Sequence, residues 1–351
     1  MTAQHDRQAS LQAMRAGFHE ACGAADGVVE WSYQIGGFPV TVRFAGAGLV
    51  PHLAPALAHL RVETAGAPDL VINAWDSEST ATPLPDGIGS LEEHYAASGP
   101  GGAGEDSVWI AYQRPNPGLA MLDERSSEGY YWIPRAGRTS IHDRSAPFRA
   151  ILNWWMAPRG GQFVHAAAVG TVAHGAVLVV GKSGSGKSTT ALTCLLDGMA
   201  YVGDDYNLLS MDNGPYVHSL FSTAKLHAHN IERLPRLGPL VENPGELEHE
   251  KGIFLLQEHF PESIVRGLAV RAVLIPRLTG QPNTALRPAS ATRGLMGLAP
   301  STLLQLSGGG EASLRMMGAL VRAVPSYFLD LGTDVAATPG VIRGLLKELA
   351  A

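Results

Sequence analysis

A short glycine-rich segment carries the clearest chemical signal in the sequence. Residues 181–188, GKSGSGKS, match the pattern G-x-x-x-x-G-K-[ST] between a strand-like run, GAVLVVG, and a helix-like run. Glycines let successive backbone N–H groups turn inward around phosphate oxygens, where side chains would obstruct them. The start of the following helix adds the positive end of its dipole. The segment therefore predicts a site for nucleotide phosphates.

The side chains of this loop have distinct expected roles. Lys187 is expected to reach the β- and γ-phosphates, the Ser188 hydroxyl to ligate Mg²⁺, and Thr189 to lie near the inner phosphates. Lys182 occupies a variable position of the pattern and is interpreted as a solvated surface lysine. The expected ligands are ATP and Mg²⁺. The expected binding residues are Gly181, Ser183, Gly184, Ser185, Gly186, Lys187, Ser188 and Thr189.

Two adjacent acids follow the loop closely. The helix should end near Asp197, Gly198 should stop it, and a strand over 199–203 should lead to Asp204 and Asp205. Ten helical residues cover about 15 Å and a five-residue strand returns about as far. A right-handed β-α-β crossover would then bring both acids back to the sheet edge that carries the loop.

This placement favours phosphoryl transfer over a motor or switch. One carboxylate can hold the metal and the other can accept a proton from an attacking hydroxyl. Because adjacent carboxylates repel, the pKa of one should rise, which suits a base. In many hydrolytic P-loop proteins the metal-linked acid lies much further along the chain. An ordinary surface turn is the alternative interpretation of the pair.

The surrounding sequence predicts two domains. Short runs rich in Val, Ile, Tyr and Trp, cut by Gly, Pro and Asp, predict a smaller β-rich mixed domain over 1–150, with a helix near 53–60. It is a candidate for substrate or partner recognition. Alternating strands and helices after about Phe163 predict an α/β P-loop domain over 151–351.

Composition limits the partners and the cellular location that we expect. The net charge of −6 argues against a nucleic-acid partner. Neither a signal-peptide pattern nor an apolar run of about 20 residues is present, so we expect no membrane contact and a cytoplasmic location. Two cysteines, Cys22 and Cys194, predict no disulfide framework. The sequence leaves homo-oligomerisation open.

Residues 163–209 resemble the HPr kinase/phosphorylase group, whose P-loop domain is related to phosphoenolpyruvate carboxykinase. A histidine near the end of a preceding strand, the glycine loop and an Asp-Asp pair recur there in this order. The resemblance implies that His165 assists the catalytic carboxylate, that Asp204 is the base, and that Asp205 and Ser188 hold Mg²⁺. Thr189 stands where HPr kinases usually carry Glu. The chain is therefore most similar to divergent HPr-kinase-like proteins, some of which phosphorylate the C-terminal serine of lasso peptides.

Further residues could supply positive charge to the site. Lys225, on a segment interpreted as loop leading to helix, is the first choice for neutralising phosphate charge in the transition state. Other candidates are Arg233, Arg236, Lys251 and Arg277. A solvated basic helix face explains the segment around Lys225 about as well. The alternative role for His165 is structural, as a buried histidine with its hydrogen bonds made. His227 and His229 give only weak support for a metal site.

These observations converge on an ATP-dependent kinase. It would transfer the γ-phosphoryl group to a serine-like hydroxyl of a peptide, protein or small molecule, with Asp204, Lys187, His165 and Lys225 as catalytic residues. Two alternatives remain open: a P-loop NTPase or nucleotide-dependent regulator, and a phosphorylase that runs the same chemistry in reverse.

Overall fold

The computed structural model describes residues 2–25, 27–63, 66–86, 88, 107–113, 117–306 and 310–351. The chain divides into two compact units, Met1–Arg159 and Gly160–Ala351. The domain boundary expected at 150/151 would fall inside a helix, Arg149–Met156, that belongs to the first unit. Within the described ranges, no helix is both long and apolar enough to cross a membrane.

The first unit is a mixed α/β structure built on one seven-stranded sheet, with strand order β3-β1-β2-β4-β7-β6-β5. The β2–β4 and β4–β7 pairs are parallel and the other pairs are antiparallel. Its strands are β1 (Val28–Ile35), β2 (Phe38–Ala45), β3 (Arg61–Val62), β4 (Leu70–Asp76), β5 (Val108–Gln113), β6 (Gly118–Asp123) and β7 (Glu128–Ile133). Its helices are α1 (Thr2–Ala24), α2 (Val50–Leu53), α3 (Ser77–Thr80), α4 (Ile141–Ser145) and α5 (Arg149–Met156).

Helix α1 packs through one apolar stripe. Leu11, Met14, Phe18 and Ala21 recur every three or four residues, and they are buried in one cluster with Trp75. The helix expected over 53–60 is instead the end of α2 followed by a 3₁₀ helix, Pro55–Leu60. Pro55 has no N–H with which to continue an α-helical ladder.

The second unit is also mixed α/β. Its strands are β8 (Gln162–Val164), β9 (Ala166–Thr171), β10 (Gly175–Val180), β11 (Ala200–Gly203), β12 (Asn207–Ser210), β13 (Tyr216–His218), β14 (Thr223–Leu226), β15 (Gly252–Leu255), β16 (Gly267–Leu278), β17 (Ala285–Ala289) and β18 (Ser326–Leu331). Its helices are α6 (Lys187–Leu196), α7 (Ala228–Ile231), α8 (Leu256–His259), α9 (Ala291–Gln305), α10 (Gly310–Ala323) and α11 (Thr338–Ala350).

Strand β16 joins the two parts of the main sheet. The order runs β11-β9-β10-β16-β13-β12-β8, and β18, which pairs with β17, also pairs with β16. Strands β10, β16 and β18 are parallel neighbours, whereas β9 is antiparallel to both β10 and β11. Strands β10 and β11 therefore run in the same direction and end at the same sheet edge. Strands β14 and β15 form a separate antiparallel ribbon.

Strand β10 is buried on both faces because its side chains alternate between two cores. Val177 and Val179 pack with residues of α6 and α11, whereas Leu178 and Val180 pack with residues of α9 and α10. The glycine loop leaves this strand at its carboxyl end, which is the usual place for ligand sites in α/β sheets.

Candidate functional site

The glycine loop between β10 and α6 has the backbone conformation that its glycines allow. Gly181, Gly184 and Gly186 have φ angles of +145°, +78° and +104°, values that L side chains rarely adopt. A Cβ at Gly186 would also lie 2.7 Å from Leu331 Cδ1. The Ser185 hydroxyl is buried in the loop without a hydrogen-bond partner among the described residues. The loop therefore has both the shape and an unused polar group that suit a phosphate.

Lys187 begins α6 and bridges the loop. Its side chain is buried, and Nζ donates hydrogen bonds to the carbonyl oxygens of Gly181 at 2.7 Å and Lys182 at 3.2 Å. Burial lowers its pKa, while the negative charges of Asp204 and Asp205 act in the opposite direction. The ammonium group is thus held between the loop and the two acids.

Asp204 follows β11 and is the most unusual group of the site. It is 4% exposed, and neither carboxylate oxygen accepts a hydrogen bond of good geometry from the described residues, although the Ser188 hydroxyl and the Asp205 N–H lie near enough to stabilise its charge. Burial and then the charge of Asp205 raise its pKa to about 7, although the nearby Ser188 hydroxyl and Lys187 lower it in part. A buried carboxylate with these properties can take up or release a proton near neutral pH.

Asp205 faces different surroundings from its neighbour. The Tyr206 N–H donates to the Asp204 carbonyl at 2.7 Å, and Asp205, the central residue of this γ-turn, has φ +62°. Its Oδ1 lies 3.4 Å from His165 Nε2 and its Oδ2 lies 3.2 Å from Lys225 Nζ. Burial alone would raise the pKa of Asp205, but the His165 hydrogen bond and the Lys225 charge outweigh it and hold the pKa well below its usual range. Asp205 is therefore a permanently charged group.

Helix α9 holds His165 in place, a contribution that sequence reasoning missed. The His165 backbone N–H donates to Thr302 Oγ1 at 3.0 Å, and the His165 ring lies 5.7 Å from the Tyr206 ring. The Tyr206 hydroxyl donates to Gln305 Oε1 at 2.8 Å. The available signal was the spacing of Gly294, Leu298 and Thr302, which are four residues apart and buried on one helix face.

The donor set fits Mg²⁺. Ser188 and the two acids supply the oxygen ligands that this ion prefers, and the Asp204 oxygens have no other described partner. The Ser188 hydroxyl is near enough to Asp204 to lower the pKa of that acid. His165 contacts Asp205 and not Asp204, the expected base. The metal and base roles carried over from the resemblance therefore stay predictions.

The other candidates occupy varied places. Ser183 lies in the loop and Thr189 in the first turn of α6, whereas Lys225 lies on β14 and not on a loop-to-helix segment. Arg236 donates to the Leu196 carbonyl at the far end of α6, and Arg233 is exposed.

Arg277 and the histidine pair have other contacts. The Arg277 guanidinium pairs with Asp330 and lies 3.9 Å from the centre of the Phe328 ring. The rings of His227 and His229 stack at 5.6 Å. Among the described residues, one exposed group has side chains close enough together to hold a metal ion, and it consists of Glu242, Glu258 and His259. His227 and His229 do not belong to it.

Comparison with known proteins gives a distant structural similarity. No protein-family model and no curated protein matches the sequence. Among solved structures, the HPr(Ser) kinase/phosphatase from Coxiella burnetii is similar with a TM-score of 0.32 and 15% sequence identity. The match covers 53% of this chain and 89% of that one.

Proposed function

We propose that the second unit is an ATP-dependent phosphotransferase with a hydroxyl group as acceptor. The observation that carries this proposal is Asp204, a buried carboxylate without a described hydrogen-bond partner and with a pKa of about 7. A group used only for stability would be expected to have its buried oxygens paired. Its position beside Lys187 and the glycine loop supports a role in accepting a proton from the attacking hydroxyl.

The reaction is a displacement at the γ-phosphorus of ATP. The acceptor oxygen forms a bond to this phosphorus while the bond to the β–γ bridging oxygen breaks, and ADP leaves. The hydroxyl proton passes to an Asp204 carboxylate oxygen. Lys187 neutralises charge on the β- and γ-phosphates, and Asp205 stays ionised because His165 and Lys225 stabilise its charge. Mg²⁺, when bound, would be held by Ser188 and Asp205 and would neutralise charge on the phosphate oxygens.

The acceptor is proposed only as a class. A serine-like hydroxyl on a peptide, a protein or a small molecule suits a carboxylate base, and the first unit is the candidate for its recognition. The identity of the nucleotide as ATP is part of the same proposal.

The test measures transfer and nucleotide binding in parallel. Wild type, Asp204→Asn and Lys347→Gln are incubated with Mg²⁺ and γ-labelled ATP in a cell extract, and labelled products are identified. Lys347 is an exposed lysine in the last turn of α11 and provides the control. We expect wild type and Lys347→Gln to label a hydroxyl, and Asp204→Asn to bind a fluorescent ADP analogue without transferring label.

Other results favour the alternatives. Hydrolysis of ATP without any acceptor, at a rate that Asp204→Asn leaves unchanged, would contradict the kinase and favour an NTPase. Formation of the phosphorylated product from inorganic phosphate in place of ATP would identify a phosphorylase.

A further inference from the structure

Lysine is rare in this chain, and its distribution is uneven. The sequence contains five lysines and 21 arginines. Lys182 and Lys187 lie in the glycine loop and Lys225 pairs with Asp205, so three of the five belong to the site described above. A lysine ammonium is a compact point charge, whereas arginine presents a planar fork, and the two are not interchangeable at a phosphate. The position of the fourth lysine, Lys251, relative to this site is therefore of interest.

Lys251 lies at the end of the ribbon that carries Lys225. In the β14–β15 pairing, Lys225 is opposite Ile253 and Leu226 is opposite Gly252. Directly opposite residues share a face of a ribbon, and so do residues two apart along one strand. Continuing the alternation by one residue before β15 puts Lys251 on the face of Lys225 and Ile253.

The backbone of Lys251 is firmly held. The buried Asn243 side chain donates to the Lys251 carbonyl at 3.1 Å and accepts from the Ile253 N–H at 2.8 Å, so that it bridges both sides of Gly252. A Cβ at Gly252 would lie 2.9 Å from Ile231 Cδ1. This anchoring fixes the point from which the Lys251 side chain extends.

The charge of Lys251 acts on the site but is not neutralised there. Its side chain forms no ion pair or hydrogen bond with any residue in the described ranges. It nevertheless lowers the pKa of Asp205 and also that of Lys187, which belongs to a different element. The ribbon register puts Lys251 on the face of Lys225, which pairs with Asp205, so its ammonium group can bind an additional anion on that side of the site.

We propose that Lys251 is a further catalytic residue, whose ammonium contacts the γ-phosphoryl group while it is transferred. This inference rests on the proposed function. Lys187 binds the nucleotide from the side of the loop, and Lys251 reaches the same phosphoryl group from the ribbon. As the bond to ADP breaks, charge develops on the γ-phosphoryl and bridging oxygens, and a fixed cation stabilises that charge without reorganising.

The test needs no knowledge of the acceptor. A fluorescent ADP analogue is titrated with Mg²⁺, with and without aluminium fluoride, which takes the place of the phosphoryl group in transfer. Lys251→Gln is compared with wild type and with the remote Lys347→Gln. We expect wild type and Lys347→Gln to bind ADP more tightly with aluminium fluoride. Lys251→Gln should lose about tenfold of that gain and keep its affinity for ADP alone.

Two results would overturn the inference about Lys251 alone. Lys251→Gln could keep the full aluminium fluoride gain, or it could lose affinity for ADP alone to the same extent. Wild type that binds ADP but gains nothing from aluminium fluoride would instead refute the proposed phosphoryl transfer itself. Thermal melting shows whether each variant is folded. If Lys251→Gln does not fold, Lys251→Met, which keeps the aliphatic stem, takes its place.

Discussion

Replacement of Asp204 by asparagine should stabilise the protein, and by more as the pH rises. The ordinary pKa of an aspartate is 3.8, whereas that of Asp204 in the folded protein is about 7. Between these values the folded protein keeps a proton that the unfolded chain has released, so the free energy of unfolding falls as the pH rises and levels off above about 7. A shift of about three units at about 1.36 kcal/mol each corresponds to about 4 kcal/mol.

The assay compares unfolding of wild type and Asp204→Asn at pH 5.5 and pH 8 without nucleotide. About half of the total effect falls between these two values, so the advantage of the variant should grow by about 2 kcal/mol. For a unit of this size that corresponds to roughly 4–8 °C in Tm. An advantage that is the same at both pH values would refute the assignment of a raised pKa to Asp204.

Asp205→Asn is the matched comparison and should behave in the opposite way. It removes the carboxylate that pairs with the buried Lys225 ammonium, and we expect a loss of about 3 kcal/mol. The folded pKa of Asp205 is depressed, so its contribution is complete above 3.8 and is lost as the pH falls below that value. The charge of Asp205 also raises the pKa of Asp204. Removing it makes ionisation of Asp204 less costly, so the loss should be smaller at pH 8 than at pH 5.5. Asparagine tolerates the left-handed conformation, so the turn itself is retained.

Further variants test the residues that bind phosphate and the contacts that hold the site in place. Lys187→Met should weaken Mg·ATP binding by about ten- to a hundredfold, measured by titration, because it removes charged hydrogen bonds worth about 1.5–3 kcal/mol; unchanged affinity would mean that the loop does not bind phosphate through this lysine. Thr302→Val should cost about 1–2 kcal/mol in denaturant unfolding, because the buried His165 N–H loses its partner, and Thr302→Ser should restore most of it. Gly170→Ala should give little folded protein, because its Cβ would lie 2.1 Å from the Gly175 carbonyl oxygen, and normal expression with a wild-type Tm would contradict the close packing of β9 and β10.

Local patterns predicted the secondary structure around the glycine loop well. The glycine loop, the helix that starts at Lys187 and the short strand before Asp204 are encoded within 25 consecutive residues. Each depends on interactions between near neighbours in the chain, such as glycine conformations and helix or strand periodicity. The mixed α/β character of both units follows from the same signals.

Long-range pairing was not predictable in the same way. Strand β9 lies between β10 and β11, so the crossover through α6 passes over a strand whose place in the sheet the sequence does not indicate. Helix α9 begins at Ala291 and contains Pro300 in its interior, where proline normally argues against a helix. Because proline has no N–H, the Met296 carbonyl one turn earlier receives no hydrogen bond from Pro300.

The different properties of the two acids also depend on tertiary structure. In the sequence, Asp204 and Asp205 are equivalent neighbours, and repulsion predicts only that one pKa should rise. The γ-turn directs the Asp205 carboxylate to His165 and Lys225. His165 lies 40 positions before Asp205 in the sequence, and Lys225 lies 20 positions after it. Asp204 remains in the buried space beside Lys187 without a described hydrogen-bond partner. A strained backbone conformation is therefore what converts one dipeptide into a fixed charge and a titrating group, and strain of this kind is typical of functional sites.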